Sequence, residues 1–242
     1  MAADSIAPAS QLRRSPIYRV LQRLGAEFTG LNDGAVAMTC GASESQERNA
    51  GARLGLADLS VLPRIGFKGA GTIEWLGEQG LEIGPDSNVA YPQAAGALAL
   101  RLAPSEIFLL DGLSGEGPWV DRLQGAWRWG EERPRRLIGY PVPRADSHCW
   151  LAVTGEKAPA MFAKICGVDL RPGAFPPGRI AQTSLARMSG IIVRQPGPAE
   201  RIAFHVLADS ASAEYLWESL IDAMAEFDGR PIGLIAVRSL MG

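Results

Sequence analysis

From Arg64 onward the apolar and polar positions run through one order of elements twice. Ile65 and Phe67 alternate as a strand requires, and Ile73, Trp75 and Leu76 past a glycine break predict a helix over 72–79. A loop rich in Gly, Pro and Asn follows. Leu98, Leu100 and Leu102 then alternate, Pro104 and Ser105 make a turn, and 107–110 returns as the second arm of a hairpin. Pro118 suits the first turn of a helix with Val120, Leu123 and Trp127 on one face, and 137–142 reads as extended. The second pass opens with a strand at 150–153. Thr154 and Gly155 lead into a helix carrying Ala158, Met161, Phe162 and Ile165 at i, i+3, i+4 and i+7. A Pro/Gly-rich loop (171–179) precedes a hairpin of 191–194 and 202–207, turned at Pro196-Gly-Pro198. Leu216, Leu220, Ala223 and Phe227 stripe the next helix, Gly229 stops it, and 232–237 reads as the last strand.

Each pass is β-α-β-β-α-β, so the expected class is α+β, built from two split βαβ (ferredoxin-like) halves with helices on one face of each sheet. Superposing Lys68-Gly69 on Thr154-Gly155 brings helix onto helix and hairpin onto hairpin. The expected division is a flexible tail over 1–16, a first half over 17–143 and a second half over 144–242, the halves packed as one unit. The tail ends in Arg13-Arg14, read as a solvated start to the fold. Ahead of the repeat come a helix over 17–24, a strand over 35–38 and a polar helix capped by Ser43, with Glu44 and Glu47 in its first turn.

With 242 residues, 47% hydrophobic and 21% charged, the chain can bury a sizeable core. A net charge of -2 gives no electrostatic reason to expect nucleic acid or an anionic membrane as partner. Cys40, Cys149 and Cys166 are widely spaced and odd in number, which argues against a disulfide framework or zinc cluster and for a reducing compartment. No stretch reads as a signal peptide or a membrane span, so the expectation is a cytoplasmic protein.

Three candidate chemistries fail on inspection. Gly69-Ala-Gly71-x-x-Glu74 follows a strand and opens a helix, as a dinucleotide loop does. Yet Glu74 replaces the third glycine, and the next element is a hairpin rather than a parallel strand. Asp146, Ser147 and His148 are consecutive, so their side chains are expected to point apart and not to form a triad. His205 sits mid-strand, facing away from Phe204 and Val206, as a structural histidine would. No catalytic, cofactor-binding or metal residue is assigned. Tryptophan and arginine are enriched at the centres of protein interfaces, and Trp129 with the adjoining charges around Arg133 fits that use.

Family resemblance enters with longer motifs. A polar helix over 47–53, the segment Gly55-Leu-Ala-Asp-Leu-Ser60, and the strand, small-residue turn and helix of 64–76 together resemble the aminomethyltransferase (glycine-cleavage T-protein) superfamily. A closer resemblance spans most of the chain and is to the gamma subunit of heterotetrameric sarcosine oxidase. It rests on D-L-S-x-L-P-R at 58–64, K-G-x-G at 68–71, W-L at 75–76, Y-P-V-P-R-x-D-S-H-x-W at 140–150, V-D-L-R-P at 168–172, A-Q-T-S-x-A-R at 181–187 and A-D-S-A-S-A-E-Y-L-W at 208–217.

The resemblance implies a tetrahydrofolate-binding-protein fold without the T-protein's C-terminal barrel. It also implies an accessory subunit beside a larger alpha-type chain (folate and NAD), a beta-type flavin chain and a small delta-type chain. FAD, FMN, NAD and tetrahydrofolate would all lie on those partners, none on this chain, with Asp58, Arg64, Trp129, Arg133 and His148 as candidate partner contacts. The T-protein's paired acidic motif, whose aspartate serves folate chemistry, aligns with Ala95-Gly96, where no carboxylate stands; the K-G-C-x-x-G-Q-E motif of the iron–sulfur-maintenance branch is also absent. The alternative is a stand-alone tetrahydrofolate-dependent aminomethyl transferase that uses another carboxylate, with Asp58 as the candidate.

Overall fold

A computed structural model describes residues 5–127 and 139–242. The chain opens with β1 (Arg13–Arg14), α1 (Tyr18–Arg23), β2 (Ala26–Leu31), β3 (Gly34–Cys40) and α2 (Glu44–Leu54). β1, β3 and β2 form a small sheet in that order. Residues 5–16 therefore do not behave as a free tail. Arg13 and Arg14 pair in parallel with Gly34 and Ala35, and Pro8 and Ser15 are buried. β2 is an addition to the sequence reading, joined to β3 by a tight turn in which Asn32 takes the left-handed conformation (φ 54°). α2 begins as expected: the Ser43 hydroxyl accepts from the Gln46 backbone, and the Gln46 side chain accepts from the Ser43 backbone.

The first repeat then runs through β4 (Gly55–Asp58), β5 (Arg64–Lys68), α3 (Thr72–Glu78), β6 (Val89–Pro92), β7 (Leu98–Ala103), β8 (Glu106–Leu110), α4 (Pro118–Ala126) and β9 (Tyr140–Val142). The second comprises α5 (Arg144–Ser147), β10 (His148–Thr154), α6 (Ala158–Phe162), β11 (Ile180–Leu185), β12 (Met188–Arg194), β13 (Ala203–Asp209), α7 (Ala213–Met224), β14 (Arg230–Pro231) and α8 (Leu234–Met241). The sheet orders are β6-β7-β8-β5-β9 and β11-β12-β13-β10-β4-β14. The five strands of the first match the first five of the second, and β14 is an addition at the edge. β4 takes the place beside β10 that β9 takes beside β5, so a division at residue 143 separates the sheets except for this strand.

That exchange explains one element of the wrong type; another is β6, which forms within the stretch read as a loop. The segment expected as a last strand at 232–237 finds its position already filled by β4, and after the two-residue β14 it coils into α8. The Glu47 carboxylate fixes the start of α8. One oxygen accepts the Gly233 N–H at 2.7 Å and the other accepts the Cys40 N–H, so the last helix is tied to β3. Glu47 is buried, and its work is this bridge rather than the first-turn charge of α2 alone.

Period-two alternation divides the apolar residues between cores on the two faces of each sheet. Leu98, Leu100, Phe108 and Leu110 meet Trp150, Ala152, Val193 and Leu207 in a layer between the sheets. Ala99, Ile107, Leu109 and Phe67 face outward onto Trp75, Leu76 and Leu123 of α3 and α4. Phe204, Val206 and Leu151 face outward onto Met161, Phe162, Leu216 and Leu220 of α6 and α7. The result is helix, sheet, sheet, helix. Trp127 lies on the core side, its ring edge-on to Trp75 at 5.0 Å, while Trp129 and Arg133 fall outside the described residues.

Glu47→Ala removes one acceptor from two backbone N–H groups. Chemical denaturation should show a loss of about 2–4 kcal/mol, against about 0.5 kcal/mol or less for Glu44→Ala on the exposed side of the same turn.

Candidate functional site

Three of the motifs meet at one place because residues 59–63 must carry the chain from one sheet to the other. The Leu59 N–H donates to the Trp150 carbonyl at 2.8 Å, and the Leu62 N–H donates back to Leu59. Asp58 closes the turn by accepting the Ser60 N–H at 3.0 Å. The Ser60 hydroxyl accepts the Trp150 N–H at 3.0 Å. Arg64, only 2% exposed, reaches back beneath this link. Nη1 donates to the Ser60 and Leu62 carbonyls, both at 2.8 Å; Nη2 donates to Ala145 at 2.8 Å and His148 at 2.5 Å. One guanidinium thus joins the first half to the start of β10. Burial pulls its pKa down to about 10, so it stays a cation at neutral pH. Burial pushes the Asp58 carboxyl up, opposed by hydrogen bonds from Ser15 and Ser60.

His148 is held from both sides. Its Nε2 lies 3.3 Å from Arg144 Nη1 and its Nδ1 lies 2.8 Å from Ser147 Oγ. Arginine can only donate, so Nε2 accepts, and the proton sits on Nδ1 and is given to Ser147. The expectation that Ser147 and His148 point apart is corrected, since the two touch. The direction of the bond still excludes a nucleophilic pair: the ring withdraws nothing from the hydroxyl, and Asp146 turns instead to Arg13 at 3.5 Å. Burial, then Arg144 and Arg64, push the ring pKa down to about 4. Arg144 also pairs with Glu106, which holds Lys68 at 3.0 Å.

These groups border an open cleft of about 720 Å³. Ser60 and Arg64 come from one motif, Asp146 and His148 from a second, Ser210 from a third, and Arg13 and Arg14 from the opening segment. Of the five candidate contacts, Arg64 and His148 line this cleft, and Asp58 is buried in the turn beside it. Sequence motifs alone could not show their convergence, because the hydrogen bonds that join them span more than half a domain.

A second, more enclosed cavity of about 320 Å³ lies between the sheets and is bordered by Ala95, Gly96, Leu98, Leu110, Trp150 and His205. Among the described residues no Asp or Glu side chain lines it. Ala95 holds a left-handed conformation (φ 59°), which an L-residue adopts at a cost of about 1 kcal/mol. His205 is fully committed: Nδ1 accepts the Trp150 indole N–H at 3.0 Å, and Nε2–H donates to Gln195 at 2.7 Å. Burial pushes its pKa down to about 3, so the ring is neutral. The glycine break after β5 is a turn. At Gly69 (φ +139°) a Cβ would stand 2.2 Å from the Gly139 Cα, and both neighbours of β5 are antiparallel, unlike a dinucleotide unit. The three cysteines are free; burial pushes Cys40 up to about 12 and Cys149 up to about 11, which makes them poor nucleophiles.

An aminomethyltransferase of Saccharopolyspora erythraea is 23% identical over 93% of this chain and 62% of its own length. One of Acidobacterium capsulatum is 22% identical over 97% and 63%. Aminomethyltransferase T of the Bartonella henselae glycine cleavage system superposes with a TM-score of 0.65 at 20% identity, over 96% of this chain and 62% of that one. The fold is that of the aminomethyltransferases. A chain of heterotetrameric sarcosine oxidase from Corynebacterium sp. U-96, solved with pyrrole 2-carboxylate, gives a TM-score of 0.63 at 24% identity, over 90% of this chain and 98% of that one. The resemblance to the T-protein superfamily and to sarcosine oxidase stands. No family model matches the chain. It spans under two thirds of the aminomethyltransferases it matches.

Arg64→Lys keeps a charge but offers no planar fork to four carbonyls; a loss of about 2–4 kcal/mol is expected in denaturant titration. The histidines set a pH dependence with a fixed sign. Their folded-state pKa values lie below the ordinary 6.5, so the unfolded chain binds the extra protons, and stability present above about pH 6.5 is lost as pH falls. Between pH 6.5 and 4 the slope from His205 should approach about 1.4 kcal/mol per pH unit, with less from the partly solvated His148. His205→Gln should flatten the curve; an unchanged slope would remove the assignment.

Proposed function

We propose that this chain is an accessory, gamma-type subunit of a heterotetrameric sarcosine oxidase-like complex that demethylates an N-methyl amine, with an assembly role. The observation that carries the reading is the inter-sheet cavity: Ala95 and Gly96 border it, where the resemblance to the T-protein would put that family's acidic motif, and no side-chain carboxylate among the described residues lines the space. The likeness to a sarcosine oxidase chain over 98% of that chain supports it. In this reading the larger alpha-type and beta-type subunits and a small delta-type subunit carry FAD, FMN, NAD and tetrahydrofolate. This chain holds no cofactor and works in the cytoplasm.

The other reading, a stand-alone tetrahydrofolate-dependent transferase using Asp58, has a physical objection. Asp58 is 7% exposed, closes the turn at Ser60 and lines neither the cleft nor the inter-sheet cavity. A carboxylate so placed cannot reach a folate amine.

Two measurements separate these readings. The tagged chain purified from its source should bring down a large flavoprotein and a smaller one, and a lone monomer would count against the subunit reading. Calorimetry with tetrahydrofolate on the isolated chain should show no tight binding; micromolar or tighter affinity that Asp58→Asn abolishes would favour the transferase.

A further inference from the structure

The opening segment, ordered against β3, concentrates charge of one sign. Between residues 5 and 26 stand four arginines and no acidic residue, in a chain of net charge -2. Arg13 is paired with Asp146 and Arg23 with Glu214. Arg14 and Arg19 have no carboxylate partner among the described residues. Both are exposed, and their guanidinium groups lie against the Tyr18 ring at 5.6 and 5.5 Å, with Arg19 Nε donating to the Tyr18 hydroxyl at 3.1 Å. The tyrosine holds two guanidinium groups in place without neutralising either. Beside them Leu12 is 91% exposed on a segment fixed by β1 pairing, and it borders the 720 Å³ cleft.

We infer that Leu12, Arg14, Tyr18 and Arg19, with the mouth of the cleft, form the docking surface for an acidic segment of a partner subunit that also carries an apolar side chain. The inference rests on the subunit reading above. Two unpaired planar forks match carboxylates in bidentate geometry, and arginine and tyrosine are the residues that anchor protein interfaces. The side chains are ordered beforehand, so less freedom is lost on association. A phosphate-rich partner fits poorly. Asp33 and Asp146 line the same cleft, the whole chain is acidic, and two free arginines release few counterions.

The test is capture of the native complex on the tagged full-length chain. Arg14→Glu with Arg19→Glu should lower recovery of the flavoprotein partners by roughly tenfold or more at equal salt, because like charges then meet across the interface. Its melting temperature should stay within about 2 °C of the parent, since neither residue is buried or ion-paired. If that variant melts early, Arg14→Gln with Arg19→Gln is read instead and should give a smaller, salt-sensitive loss. Equal recovery by a folded variant would overturn the docking surface while leaving the subunit reading intact. A parent chain that captures no partner would overturn both. Binding of the parent chain, but not the charge-reversed one, to phosphatidylserine vesicles would overturn the surface in favour of a lipid.

Discussion

Four carbonyl oxygens converging on the Arg64 guanidinium are the contact on which the arrangement of the two sheets depends. β4 belongs to one sheet and β5 to the other, with only residues 59–63 between them. Carbonyls in such a link face neither ladder and must be satisfied some other way. Arg64 satisfies two of them and two more at the entry to β10, and the Asp58 turn supplies opposite charge nearby. Burying a guanidinium is costly unless its donors are used. Here four of them are, and the cation becomes part of the frame.

That frame decides what the two cavities can do. The cleft beside Arg64 shows a surface whose central cation is already spent on backbone and whose histidine is neutral and doubly held. The enclosed cavity shows mostly apolar walls and a histidine–tryptophan–glutamine chain closed on itself. Among the described residues that line them, neither presents an activated nucleophile or a poised base. On the lining of the cleft, Arg14 and Asp33 remain as charged groups without an ion pair among the described residues, and Arg19 lies beside Arg14 on the Tyr18 ring.

Much of this was legible from residue order. The Ser43 cap, the alternation of Leu98, Leu100 and Leu102, the stripe Leu216–Leu220–Ala223 and the split βαβ plan each follow from local rules and appear as read. β2 was missed although Asn32-Asp33-Gly34 carries a turn signal, because Ala-Glu-Phe-Thr-Gly-Leu alternates weakly. β1 was missed because two residues have no period. The 232–237 error came from elsewhere: Ile-Gly-Leu-Ile-Ala-Val suits a strand, and only the non-local placement of β4 denies it that position. For the site, Asp58, Arg64 and His148 could be singled out by motif, but a guanidinium spanning two halves leaves no spacing signature.

The exchanged strand also bears on how the chain is made. β4 leaves the ribosome well before β10, yet among the described residues β10 is its antiparallel partner, through Asp58 opposite Leu151 and Gly55 opposite Thr154. The six-stranded sheet therefore cannot close while the first half is being synthesised. Nor can residues 144–242 alone cover the edge of β10. Such a long-range pairing must wait for the loop between its ends to close, which slows assembly and leaves an apolar strand uncovered in the meantime. Until β10 arrives, the fold of the first half has an apolar strand with no ladder to join.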